Sequence, residues 1–254
     1  MLAKFTGWAL LVVIRLLTGA QARWWGCPPK AEQRIYFANH QSHLDLVMIW
    51  AALPEELRSI TRPIAARDYW ATSPFKRWIT TEVFNAIYVE RGGSAPVPPS
   101  AASPAPPEER IEPSFDAVVQ TELPLSPPVV EAMESAAPVV PGSAEALAPL
   151  QPLIEALQSG DSIIIFPEGT RGHTGEPQKF KSGLFTLAQM FPEVVLVPAW
   201  IDNVQRVMPK GEVVPVPILC TVVFGAPLRL APGEERRAFL DRARAAVIAL
   251  RAIA

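Results

Sequence analysis

Short apolar runs alternate along the chain with stretches whose apolar residues recur at helical spacing. "RIYFA" (34–38), "FNAIYVE" (84–90), "DSIIIF" (161–166), "VVLVPAWI" (194–201) and "ILCTVVFG" (218–225) are rich in β-branched and aromatic residues and predict strands, with "DSIIIF" a buried one. "LDLVMIWAAL" (44–53), which Pro54 helps to end, and "SGLFTLAQMF" (182–191) predict helices. "PGEERRAFLDRARAAVIALRAI" (232–253) predicts a closing amphipathic helix. "EALAPLQPLIEALQS" (145–159) has a helical period, but its prolines split it into two pieces or delay its start. Strands alternating with helices predict an α/β domain around one central sheet.

Two segments depart from this alternation. "FTGWALLVVIRLLTGA" (5–20) is apolar but carries Arg15. A spanning helix needs about 20 apolar residues, and a central charge is costly in hydrocarbon. Trp8, Trp24 and Trp25 suit the headgroup zone, so residues 1–25 predict a membrane-associating segment, an interfacial or partly embedded helix ahead of the alternatives of a true span and a buried core helix. The domain proper then runs over 26–254. Residues 92–143 hold twelve of the 28 prolines and seven acids against the single Arg110. Neither a helix nor a central strand runs through such a stretch, so it predicts a disordered, acidic Pro/Ala-rich insert.

Composition adds three constraints. With 254 residues, 49% of them hydrophobic, the chain can bury a sizeable core. The net charge of −2 carries no nucleic-acid signature, but most of the excess acid lies in the insert. The remainder is net positive, and residues 1–30 carry Lys4, Arg15, Arg23 and Lys30 with no acid, which suits an anionic substrate or membrane surface. Cys27 and Cys220 have no metal or redox spacing and read as reduced structural thiols.

The candidate chemistry starts at "YFANHQSHLDLVMIW" (36–50), which holds His40, His43 and Asp45. Ser42 and Asp45 ahead of an apolar run fit a capping box, with the helix starting near Ser42. The same placement puts His40 in a loop leaving the carboxyl end of a strand, where open α/β sheets bind ligands. A carboxylate on one imidazole nitrogen fixes the tautomer and frees the other to take a proton. There is no G-x-S-x-G nucleophile motif, so a His40–Asp45 pair points to a general base acting directly on a substrate hydroxyl. His40, His43 and Asp45 are also three candidate metal ligands, though in no recognised metal spacing.

The second motif is "IIIFPEGTRGHTGEPQKFKSG" (163–183), a buried strand running into Pro-Glu-Gly-Thr-Arg. Gly169 lets backbone approach a ligand, and Arg171 can grip a phosphate bidentately. Neither a Walker A loop nor G-x-G-x-x-G is present.

"NHQSHLD" followed far downstream by "FPEGTR" resembles the glycerolipid acyltransferase family, of which the 1-acyl-glycerol-3-phosphate (lysophosphatidate) acyltransferases are the best-known members. "FNAIYVER" resembles the family's second block and "VLVPAWI" its fourth, with Pro198 at the block's proline. "KFKSGLFTLA", "MPKG" and "FGAPL" resemble its flanking segments. Gly172, where serine is common, and the long insert depart from the pattern.

The resemblance implies a central mixed sheet flanked by helices, as in glycerol-3-phosphate acyltransferases. It implies transfer of a fatty acyl group from a thioester to the free hydroxyl of lysophosphatidate, giving phosphatidate. By position, His40 becomes the general base and Asp45 its orienting partner. Arg91 and Arg171 bind the acceptor phosphate, Glu168, Gly169 and Thr170 shape the acceptor pocket, and Asn39 and Ser42 hold the loop. No metal or cofactor is implied. The expected partners are a lysophospholipid, acyl-CoA or acyl carrier protein as donor, and a membrane surface with the active site facing the cytoplasm, without nucleic acid. The alternatives are another acceptor (glycerol 3-phosphate, another lysophospholipid or a lyso-aminolipid), a metal-dependent hydrolase at His40, His43 and Asp45, or a non-catalytic lipid-binding protein.

Overall fold

The computed structural model describes residues 1–42, 44–90, 147–172, 175–207 and 216–254. Met1–Arg91 and Leu147–Ala254 form one compact unit. The acidic insert predicted at 92–143 lies outside the described residues.

Seven strands form one sheet: β1 (Gln21–Trp24), β2 (Arg34–Ala38), β3 (Thr61–Ala66), β4 (Ile87–Val89), β5 (Ser162–Ile165), β6 (Val195–Ile201) and β7 (Thr221–Phe224). Their order is β1-β7-β6-β2-β5-β3-β4. The five strands from β6 to β4 run parallel, β7 reverses against β6, and β1 pairs in parallel with β7. The sheet is therefore mixed, as the resemblance implies.

The helices among the described residues are α1 (Leu2–Thr18), α2 (Asp45–Ala52), α3 (Glu55–Ser59), α4 (Arg67–Trp70), α5 (Pro74–Trp78), α6 (Gln151–Gln158), α7 (Gly183–Met190), α8 (Val204–Val207) and α9 (Arg236–Ala249). A π-helical turn, Ile79–Val83, continues α5. The prolines of 145–159 act as expected, leaving a 3₁₀ turn at Ala148–Leu150 ahead of α6. The strand predicted at 84–90 shrinks to three residues, because Asn85 sits at φ 49° in the left-handed region and breaks the extended run.

Side chains alternate across the central strands and fill a core on each face of the sheet. Tyr36, Ala38, Ile164, Val197 and Ala199 join α2 and the inner side of α1 in one core. Ile35, Phe37, Ile163, Ile165 and Trp200 join α6, α7 and α9 in the other. Burial on both faces explains why β2 and β5 read as continuous apolar runs. Cys27 and Cys220 are both buried free thiols, and burial pushes Cys220 up to about 11.

The chain begins with α1, whose one side packs on the core through Leu10, Leu11 and Ile14 while Leu2, Phe5, Trp8, Val13 and Leu16 are exposed. Gly7 lies against Val83 of the π-helical turn, where an added Cβ would sit 3.3 Å from its methyl group. Among the described residues, no helix is long and apolar enough to cross a membrane.

Candidate functional site

The loops after β2 and β5 leave the same edge of the sheet, because these strands are parallel neighbours. One carries Asn39-His40-Gln41-Ser42 and the other Pro167-Glu168-Gly169-Thr170-Arg171. Parallel register thus joins two motifs over a hundred residues apart, at the edge where open α/β sheets bind ligands.

Asp45, the first residue of α2, is fully buried, and its carboxylate turns back on the preceding loop. Its Oδ2 lies 2.9 Å from His40 Nδ1 and accepts the backbone N–H groups of Gln41 at 2.5 Å and Ser42 at 2.8 Å. The carboxylate favours the Nδ1–H tautomer, so Nε2 is the ring nitrogen able to take a proton. His40 retains some exposure, and its ring stacks on Phe166 with centroids 4.4 Å apart and planes 18° from parallel.

The helix starts at Asp45 rather than near Ser42. Ser42 Oγ accepts from Leu44 N at 3.2 Å, and Ser42 O accepts from Asp45 N in a tight i→i+3 turn. The Asp45 half of the expected capping box is present, as the bond to Ser42 N–H, but the same oxygen also binds His40 and Gln41. His43 lies outside the described residues, and so does Arg91.

Asn39 ties the loop to β6. Its amide nitrogen donates to Ile201 O at 3.0 Å, and its amide oxygen accepts from Ile201 N at 2.8 Å. The side chain is buried and mimics a peptide unit at the end of the strand.

Glu168 ties the two motifs together. One carboxylate oxygen accepts His40 N–H at 2.7 Å, and the other accepts Gln178 N–H at 2.7 Å. Burial pushes its carboxyl above the ordinary carboxylate value, while those two N–H groups pull it down. One Glu168 oxygen thus holds the His40 loop and the other holds the returning arm of its own loop. Gly172 N–H donates to His40 O at 2.8 Å, adding a second tie between the loops. A Cβ at Gly172 would meet its neighbours at ordinary distances of 3.5 Å and beyond, so the backbone here does not itself demand glycine.

Gly169, Thr170 and Arg171 are exposed. Gly169 adopts φ 72°, which closes the turn through Gly169 N–H to Phe166 O at 3.0 Å. The Arg171 guanidinium makes no hydrogen bond or ion pair with the described residues and is available to an anion. Three features escape motif reading: Phe166 under His40, the Gln178 N–H on Glu168, and Lys181, whose side chain lies across Gly169. All three stand inside the stretch 163–183, but the places of Gln178 and Lys181 depend on how the loop folds back.

A base, its orienting carboxylate and an open cation border one edge, an arrangement suited to deprotonating a hydroxyl on a molecule that also bears an anion. The family model described as Acyltransferase matches residues 28–202. Over 63 residues the chain is 39% identical to the 1-acyl-sn-glycerol-3-phosphate acyltransferase LPAT1, chloroplastic, of Arabidopsis thaliana, covering 25% of this chain and 17% of that relative's length. The fold is similar to the crystal structure of the 1-acyl-sn-glycerophosphate (LPA) acyltransferase PlsC from Thermotoga maritima, with a TM-score of 0.58 at 17% identity, covering 99% of this chain and 80% of that one.

Proposed function

The chain belongs to the acyltransferase family, and from that premise we propose that it moves a fatty acyl group from an acyl thioester to the free hydroxyl of lysophosphatidate, giving phosphatidate. The observation that carries this reading is the 2.9 Å contact between His40 Nδ1 and the buried Asp45 carboxylate. It leaves Nε2 as the proton acceptor beside a cationic loop.

The acceptor hydroxyl gives its proton to His40 Nε2 as its oxygen bonds to the thioester carbonyl carbon. The tetrahedral intermediate collapses, the C–S bond breaks, and the thiolate leaves with the proton from His40. The acyl group is already activated by its thioester, so the step requires no covalent enzyme intermediate. Asp45 stabilises the imidazolium that forms between the two proton transfers. Arg171 holds the acceptor phosphate; the matching role for Arg91 rests on the motif resemblance alone. Thr170 and Gly169 border the acceptor beside Arg171, and Asn39 and Ser42 keep the His40 loop in place. The donor is acyl-CoA or acyl carrier protein, and no metal or cofactor takes part. Residues 1–25 associate with a membrane whose lipids are substrate and product, with the active site on the cytoplasmic side.

The test is an assay of the purified full chain with lysophosphatidate, glycerol 3-phosphate, other lysophospholipids and a lyso-aminolipid, each with acyl-CoA and acyl carrier protein donors. Phosphatidate formed fastest from lysophosphatidate is the expected result. Preference for another acceptor replaces the substrate assignment, and no transfer to any of them removes the reading.

A further inference from the structure

Gly169 has no Cβ, and the side chain of Lys181 occupies the space this leaves. A Cβ built there would lie 2.6 Å from Lys181 Nζ, 2.7 Å from Cε and 2.8 Å from Cδ. Three consecutive atoms so close to one point mean that the lysine stem crosses the turn instead of extending away from it. Its backbone is fastened to the same loop, Lys181 N–H donating to Pro167 O at 2.8 Å.

This cation has no partner among the described residues. Glu168, the acid next to Gly169, is buried with both oxygens taken by backbone N–H groups. A long lysine side chain loses rotamer freedom when laid along a backbone, and in the free protein no anion offsets that loss. Arg171, two residues further along the loop, is likewise unpaired with the described residues. A phosphate monoester carries close to two negative charges at neutral pH, so one guanidinium leaves it under-neutralised. A bidentate fork and a point charge on one exposed turn supply the balance.

We propose that Lys181 is a second phosphate-binding residue of the acceptor site, its ammonium meeting across Gly169 the phosphomonoester that Arg171 grips. This rests on the acyl-transfer reading above. Gly169 takes a left-handed φ, and its lack of a Cβ leaves the space that the lysine crosses.

The experiment measures kcat, acceptor KM and donor KM for the full chain and for Lys181→Met, Lys181→Gln and Lys181→Arg, with lysophosphatidate as acceptor and thermal melting as the check on folding. Loss of the ammonium should raise acceptor KM about tenfold, the scale of one charge-assisted hydrogen bond. Donor KM should stay unchanged, and Lys181→Arg should recover most of the loss. Unchanged acceptor KM, a rise in donor KM instead, or a fall in kcat that arginine does not rescue overturns the assignment while leaving acyl transfer standing. A wild-type protein that transfers to no phosphate-bearing acceptor overturns both.

Discussion

Asp45 Oδ2 lies 2.9 Å from His40 Nδ1 while accepting the backbone N–H groups of Gln41 and Ser42. One oxygen thus sets the imidazole tautomer and the path of the loop that carries the imidazole. On the proposed mechanism, Asp45→Asn keeps the shape but removes the charge that would stabilise the imidazolium, and His40→Ala removes the proposed base. Each should lower kcat by about 10²–10⁴-fold, the usual contribution of general acid–base catalysis. Because the two act as a unit, the double variant should lose little beyond His40→Ala. Single-turnover rates alongside melting curves check this; undiminished transfer in His40→Ala would remove the general-base role.

Arg171→Ala should act mainly on acceptor binding. The guanidinium is exposed and unpaired with the described residues, so its removal leaves no orphaned partner and should barely move the melting temperature. Loss of a bidentate phosphate contact should raise acceptor KM by about 10–100-fold. Steady-state kinetics over an acceptor series measures it, and an acceptor dependence equal to wild type would refute the role.

The Asn39–Ile201 pairing should be worth more to stability than its surface counterparts. Asn39→Ala strands both backbone groups of Ile201 at a buried position, which costs about 2–3 kcal/mol. Thermal unfolding should show that loss as a lower melting temperature. A variant melting with wild type would mean that the loop is held by Glu168 and Gly172 alone.

The parts of the fold that were readable from sequence are those where a local pattern determines the structure. The apolar runs of β2, β5 and β6 are buried on both faces, and the His40–Asp45 contact spans five residues. β3 escapes because Arg62 and Pro63 disguise it. Its first half pairs with β5 and its second half, from Ile64, with β4, so the proline sits where the strand passes from one partner to the other. β1 is a four-residue edge strand whose burial only alternates between exposed and intermediate, too weak a signal for a periodicity argument. At the site, the His40–Asp45 pairing and the exposure of Arg171 follow from residue types close together in sequence. The contacts of Glu168, Asn39 and Lys181 join segments distant in sequence, and no local spacing encodes them.

The outer side of α1 is the surface available for the proposed membrane contact. Phe5 is 65% and Trp8 61% exposed, on a helix whose inner side already packs on the core. Phe5→Ser with Trp8→Ser should leave the melting temperature near wild type, yet weaken co-sedimentation with anionic lipid vesicles at least tenfold. Burying each aromatic is worth about 1.5–3 kcal/mol. Undiminished sedimentation would place the contact elsewhere.

Tyr36 lies within β2 and takes no part in the proposed proton transfers. Its ring is fully buried against Phe224, and its hydroxyl makes no well-formed hydrogen bond with the described residues, although the Arg34 guanidinium lies close to it. Burial pushes this phenol from 10.0 up to about 12, with the nearby Arg34 charge opposing the shift. An acid whose folded pKa is raised contributes stability that is fully present below its unfolded value. That contribution is lost as pH rises through the folded one, here between about 10 and 12. Tyr36→Phe removes both the titration and the hydroxyl that lacks a well-formed hydrogen bond. It should stabilise the protein by up to about 1 kcal/mol at neutral pH, because an unmade buried hydrogen bond is a cost. The gain should widen above pH 10. Denaturant unfolding of both proteins at pH 7, 9 and 11 measures the difference, and a gap that stays constant or narrows with rising pH would show that Tyr36 does not govern alkaline stability.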